Sequence, residues 1–423
     1  MLVSEDYLQI LREELVPALG CTEPIALAFG AAKAREVLDL VPDHIQVACS
    51  GNIIKNVKGV VVPNTQGMKG IEAAVAIGML GGSSKLGLEV LSSVCPEHIG
   101  LAKDYLGTHA IEVSLLNSRE KLHFVITMSN GDHIAVVEIV RQHTNIVRIE
   151  HDGNVVFSKK SEEDITQEIV DKRTFLTIKG ILSFSQQVAL SQLLPIIEPQ
   201  IVCNSAICEE GLLHKWGASV GSNILRTLEP TVQTRAKAVS AAGSDARMSG
   251  CEMPVVINSG SGNQGIAVSI PVIEFAKAHS IETERLVRAL ALSNLVAIRQ
   301  KVKIGRLSAY CGAVSAAIGA GAAITWLSGG SAAQIDETIS NTLAIISGMV
   351  CDGAKPSCAA KISVAVDAAF LGHSLAMAQD NFIAGEGLVS SNIEDTIDGI
   401  GRLASEGMEQ TDSVILSLMV KNR

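Results

Sequence analysis

Aromatic residues are nearly missing from this chain. Phe, Trp and Tyr make up 3% of its 423 positions while hydrophobic residues make up 47%, so a core has to come from small aliphatic side chains on closely packed helices. Charge is sparse too, at 18% of residues with a net value of -10. That balance excludes a disordered chain. No Lys/Arg run with interleaved aromatics is present to follow a phosphate backbone, so nucleic acid is not an expected partner. Nor is there a long Leu/Ile/Phe-rich run. The most membrane-like stretch, CGAVSAAIGAGAAITWLSGG (311–330), is Ala/Gly-rich and reads as a buried helix. The opening residues, MLVSEDYLQILREELV, carry acids where a signal peptide carries positive charge, and they hold no apolar h-region. A cytoplasmic location with no membrane partner is expected.

A disulfide framework is another absence. The nine cysteines (21, 49, 95, 203, 208, 251, 311, 351 and 358) are an odd number, and a reducing compartment leaves packing, metal binding or catalysis as their uses. The hydrolase and nucleotide motifs GxSxG, HExxH and GxxxxGK[ST] do not occur.

The patterning that is present predicts an α+β fold: a mostly helical domain with an inserted α+β module. Apolar spacing predicts helices over 5–16 and 24–38, broken at PALGCTEP by two prolines and a glycine. From about 43 to 165 the texture changes to short β-rich runs (HIQVACS, KGVVVP, IEVSLL, HFVITMS, HIAVVEIV) with NG and DG turns. Helices are expected within that stretch at 69–80 and 96–103. After about 175 helices return, at 180–194, 200–216, 217–228, 230–242, 271–279, 282–304, 312–327, 333–348, 357–379 and 392–418. The expected division is an N-terminal helical hairpin (1–40) packing on the C-terminal domain, an α+β module (43–170) and a helical domain (175–423). Self-association into a homo-oligomer suits so Ala/Gly-rich a helical protein.

Three constellations could carry chemistry. Cys311, Cys351 and Cys358 all fall at expected helix ends, where a helix N-terminus favours a thiolate able to bind a soft metal. Their spacing matches no standard zinc pattern, and buried filler stays open as an alternative. NSGSGNQG (258–265) formally satisfies GxGxxG through Gly260, Gly262 and Gly265. It lacks a following βαβ unit, so a loop of backbone N–H groups with Asn263 and Gln264, suited to a small carboxylate, competes with a plain tight turn. GCTEP (20–24) puts Cys21 in a turn at a helix start, the place for a reactive thiol and equally for an ordinary buried one. The polar stretches SGNIIKN (50–56) and PNTQGMKG (63–70) read as substrate-contacting loops or simply as turns.

Together, GCTEP, NSGSGNQG and Cys311 followed by CDGAKPSC resemble the L-cysteine desulfidases, relatives of the alpha chain of iron–sulfur L-serine dehydratases, over nearly the whole chain. The resemblance implies a lyase independent of pyridoxal phosphate, with a 4Fe-4S cluster held by Cys311, Cys351 and Cys358 and one iron left open to substrate. It implies β-elimination on a small amino acid, L-cysteine to pyruvate, ammonia and hydrogen sulfide, or alternatively L-serine to pyruvate and ammonia. Cys21 would act as the base. Asn263 and the amides around Gly262 and Gly265 would hold the substrate carboxylate, and Asn52, Asn64 and Thr65 the amino group. Two other classes stay open: an NAD-binding oxidoreductase using the glycine loop, and a metal-binding protein without catalysis.

Overall fold

The computed structural model describes residues 4–118, 120–159, 173–305 and 307–421. It opens with α1 (Ser4–Glu14), a short strand β1 (Pro17–Leu19) and α2 (Thr22–Leu38). Then come β2 (His44–Cys49), α3 (Gly51–Val57), α4 (Gly70–Gly81), α5 (Pro96–Thr108), β3 (Ile111–Leu115), β4 (His123–Asn130), β5 (His133–Val140), β6 (Ile146–His151) and β7 (Asn154–Ser158). Strands β2 to β7 form one sheet in the order β3-β2-β4-β5-β6-β7, with β2 and β3 parallel and the other pairs antiparallel. Period-two alternation drives Phe124, Ile126 and Met128 of β4, and Ala135, Val137 and Ile139 of β5, to one face. Helices α2 and α4 cover that face and complete a core of their own.

The remaining elements are helical apart from the strand β8 (Pro254–Val256), which pairs antiparallel with β1. They are α6 (Ile178–Gln187), α7 (Leu190–Leu213), α8 (Val220–Thr227), α9 (Val232–Met248), α10 (Gly262–Ala278), α11 (Thr283–Ile304), α12 (Gly312–Leu327), α13 (Ala332–Ile346), α14 (Cys358–Ala378), α15 (Ile393–Arg402) and α16 (Glu409–Lys421). The mostly helical α+β fold expected from the sequence is the observed one. The shortage of aromatics has a direct counterpart in α12, which is buried on nearly every face. A Cβ on its Gly319 would lie 2.2 Å from the carbonyl oxygen of Ser293, so α11 and α12 touch backbone to backbone. Among the described residues one helix, α14, is long and apolar enough to cross a bilayer, and half of it is buried inside the protein.

Several boundaries differ from the sequence reading. A break was expected near Pro195 and Pro199, yet α7 runs through both and the chain turns instead at Val188–Ala189, between α6 and α7. Packing of Leu193, Ile197 and Ile207 into the helical core outweighs the lost proline N–H bonds. Pro271 is likewise inside α10, which begins nine residues earlier than the expected 271. The stretch KGVVVP is no strand: Val61 makes one isolated bridge to Lys69. SGNIIKN is helix α3 rather than a loop. The two N-terminal helices also part company. α1 packs into the helical core, whereas α2 buries Ile25, Leu27 and Phe29 against the sheet. The reason is that over 24–32 α2 is apolar on every face and buried throughout, so it fits between two layers.

Candidate functional site

Four helix N-termini meet at one cavity of about 100 Å³. Cys21 caps α2, Ser261 caps α10, Cys311 caps α12, and Cys358 is the first residue of α14. Each end offers unpaired backbone N–H groups and the positive end of a helix dipole, so the cavity is prepared for negative charge.

Cys311 and Cys351 are set side by side by a short antiparallel bridge. Tyr310 pairs with Val350, the Cys311 amide donates to Met349 (3.0 Å) and the Cys351 amide donates to Ala309 (2.6 Å). The loop CDGAKPSC then turns back on Gly353, at φ 92, so that Cys358 faces the same cavity. Lys361, one turn into α14, donates to the Val350 carbonyl (2.9 Å) and pairs with Asp352, which also pairs with Lys355 at 2.5 Å. Burial pushes the Cys311 thiol up to about 12, and the neighbouring Cys351 and Cys358 push in the same direction. The three thiols therefore feel one another's charge. They do not all close to within 4.8 Å, the span at which three side chains could share a single ion. Among the described residues the trio that does is His133, His151 and Asp152, at the start of β5 and the end of β6, far from the cysteines in sequence.

The base candidate Cys21 is 2% exposed and its thiol donates to the Glu23 carboxylate at 3.1 Å. Burial, then the Glu23 charge, hold that thiol well above its ordinary value, against a downward pull from Arg247. Glu23 also accepts from Asn56 Nδ2 (3.0 Å) and Thr22 Oγ1 (3.2 Å). Thr22 in turn reaches the Gly260 carbonyl at 2.8 Å, which ties GCTEP to the glycine loop.

Cys21, Asn263, Cys311, Cys351 and Cys358 thus line one cavity. The other expected contacts do not. Asn52 points away and donates to Asp412 of α16 (2.8 Å), beside the Lys55–Asp412 ion pair. Asn64 donates to the Leu91 carbonyl (2.8 Å) and Thr65 to that of Val62 (2.6 Å), so both stabilise their own turn. Gly262 and Gly265 are packing positions: a Cβ would lie 2.3 Å from Arg247 Nε at the first and 2.0 Å from the Val256 carbonyl at the second. Those contacts, and the antiparallel pairing of the three-residue β8, leave no βαβ unit and no room for a dinucleotide at the GxGxxG match. The residues that sequence reasoning missed are Glu23, Asn56 and Arg247, all buried at the cavity. The first two lay inside stretches already singled out. Arg247 had no motif, only the oddity of a cation ending the Ala-rich run of α9.

Comparisons place the fold in context. The model of the serine dehydratase alpha chain family matches residues 85–417. The UPF0597 protein of Lachnoclostridium phytofermentans is 53% identical over 413 residues, covering 98% of this chain and 99% of its own length. That of Treponema denticola is 48% identical over 423 residues (99% and 98%), and that of Parabacteroides distasonis 36% over 424 residues (99% and 98%). The chain belongs to the serine dehydratase alpha chain family.

Proposed function

We propose that the chain is an iron–sulfur-dependent lyase that eliminates the β-substituent of a small amino acid, with L-cysteine as substrate. The observation that carries this reading is the convergence of a base-like thiol and three further thiols on one small cavity ringed by helix N-termini. The donor set suits a cluster: three soft sulfurs line one cavity. Cys311, Cys351 and Cys358 would hold it, and an iron without a protein ligand would supply Lewis acidity to the leaving group.

The protein's own groups divide the remaining work. The Cys21 thiol is hydrogen-bonded to Glu23, and burial together with the Glu23 charge holds its proton tightly, so the thiolate that would act as base forms only when that proton leaves the site. A thiolate this poorly solvated is a strong base, able to take the α-proton. Asn56 and Thr22 hold the Glu23 carboxylate in place beside the Cys21 thiol. The electron pair left at Cα forms the Cα–Cβ double bond as hydrosulfide departs. The resulting aminoacrylate tautomerises and hydrolyses to pyruvate and ammonia. L-serine, losing hydroxide by the same path, is the second reading, favoured by the description of the matching family.

Anaerobically purified protein is expected to be brown and to make pyruvate from L-cysteine faster than from L-serine. Cys351→Ala should bleach the colour and abolish pyruvate formation. A colourless protein loaded with zinc under the same conditions would sink the cluster; faster turnover of L-serine would transfer the assignment to the dehydratase.

A further inference from the structure

Arg247 is a buried cation with no anion. It is 4% exposed, it lines the same cavity as Cys21 and Asn263, its Nε has no hydrogen-bond partner, and no ion pair to a carboxylate forms among the described residues. Leaving a charge in that state is costly unless something supplies the missing partner. Other cations at the cavity are differently placed: Lys361 is paired with Asp352.

The setting of Arg247 is built, not incidental. It sits in the last turn of α9, and its guanidinium lies against Gly262, the first residue of α10. A Cβ there would come within 2.3 Å of Nε and 2.8 Å of Cζ, so the space is kept open for the guanidinium. The unpaired amides of α10's first turn begin at the same point. A guanidinium beside a helix N-terminus is a site for a planar anion with two oxygens, because both elements donate and both carry positive charge. Two further orphans face the cavity, Asn263 Oδ1 and Gln264 Oε1, both buried oxygens without a donor. Arg247 and the first-turn amides donate and these two oxygens accept, which matches a carboxylate and an ammonium on adjacent atoms.

We infer that Arg247, with the N-terminal amides of α10, binds the α-carboxylate of an amino-acid zwitterion whose ammonium group is received by Asn263 and Gln264. This deepens the lyase reading and rests on it for the reaction, though not for the binding. It also reassigns Asn263 from the carboxylate to the ammonium, through its buried, unpartnered Oδ1.

Steady-state kinetics under anaerobic conditions test it. Arg247→Gln should raise KM for L-cysteine about 30-fold, which corresponds to two kcal/mol at about 1.4 kcal/mol per tenfold, while kcat falls much less. Arg247→Lys should recover part of the loss. L-Cysteinamide, which lacks the carboxylate charge, should be a far poorer substrate than L-cysteine for the wild type, and that preference should collapse in Arg247→Gln. A KM within twofold of wild type, or a wild type indifferent to the amide, overturns the assignment. Calorimetric titration with L-alanine, which has the zwitterion and no leaving group, separates this inference from the reaction. Binding to the wild type that is lost in a folded Arg247→Gln supports it even if no pyruvate is ever formed. Equal binding, or none to the wild type, overturns it even if the protein is an active lyase. Should Arg247→Gln fail to fold, Arg247→Lys and the wild-type comparison of L-cysteine with its amide still decide.

Discussion

Two hydrophobic cores share this molecule, and they contribute to the cavity in different ways. The larger is helix on helix, buried through alanine, glycine and branched aliphatics, and it presents the three thiols and Arg247. The smaller packs α2 and α4 on a six-stranded sheet, and it presents Glu23 from the start of α2 and Asn56 from α3. Cys21 belongs to neither: it clusters with Val60, Met248, Ala354 and Cys358 at the seam. The lesson is that each core can be satisfied on its own while the chemistry exists only where they touch. Glu23 and Asn56, which surround Cys21, come from one side, and Cys311, Cys351 and Arg247 from the other.

Breaking the seam at its centre should have the largest effect. Cys21→Ala is expected to lower kcat by about 10²–10⁴, the range for a lost general base, with the visible spectrum and melting temperature unchanged. Retention of the wild-type rate of sulfide release would remove Cys21 from the mechanism.

A smaller effect should follow from prising the two sides apart without touching a reacting group. Gly353 has φ 92, and a Cβ on it would lie 2.7 Å from the carbonyl oxygen of Lys55 in α3. Gly353→Ala therefore combines left-handed strain with a backbone clash across the seam, and should cost about 1–3 kcal/mol in chemical denaturation. Because the loop carries Cys351 and Cys358, visible absorbance should fall in parallel. Unchanged stability and colour would mean that the loop is free to move off α3.

The change expected to disturb the seam least lies wholly inside the helical side. Burial pushes the Asp245 carboxyl up to about 6, against hydrogen bonds from the amides of Gly221 and Val220, and its Oδ1 has no partner. The folded state holds this proton more tightly than the unfolded chain. Its contribution is therefore complete below the ordinary carboxyl range and lost as pH rises through about 6. Asp245→Asn should match the wild type at pH 4 and exceed it at pH 7, by up to about 3 kcal/mol. A thermal melt at the two pH values measures this, and a gain at pH 4 alone would reverse the assignment.

Much of the fold was legible because its signals are local. Alternation along HFVITMS and HIAVVEIV, and three- and four-residue spacing in the C-terminal half, depend only on which face is buried. Where prediction slipped, a distant contact overrode a local preference: α7 and α10 continue through prolines because their apolar faces are buried on both sides of them. In α3, Asn52 and Asn56 are one helical turn apart and nothing in SGNIIKN ranks them. The docking of α16 claims Asn52, and the start of α2 claims Asn56.

By itself, then, the sequence determined the class of fold, the two textures of the chain and the family-like set Cys21, Cys311, Cys351 and Cys358. Periodicity and motif are properties of neighbours along the chain. Tertiary structure alone decided that α2 crosses to the sheet, that Glu23 backs Cys21, that Gly262 makes space rather than contact, and that Arg247 faces the cavity unpaired. Each of these depends on what lies opposite a residue in space, and a buried charge announces its role only when its surroundings, and the partner they lack, are in view.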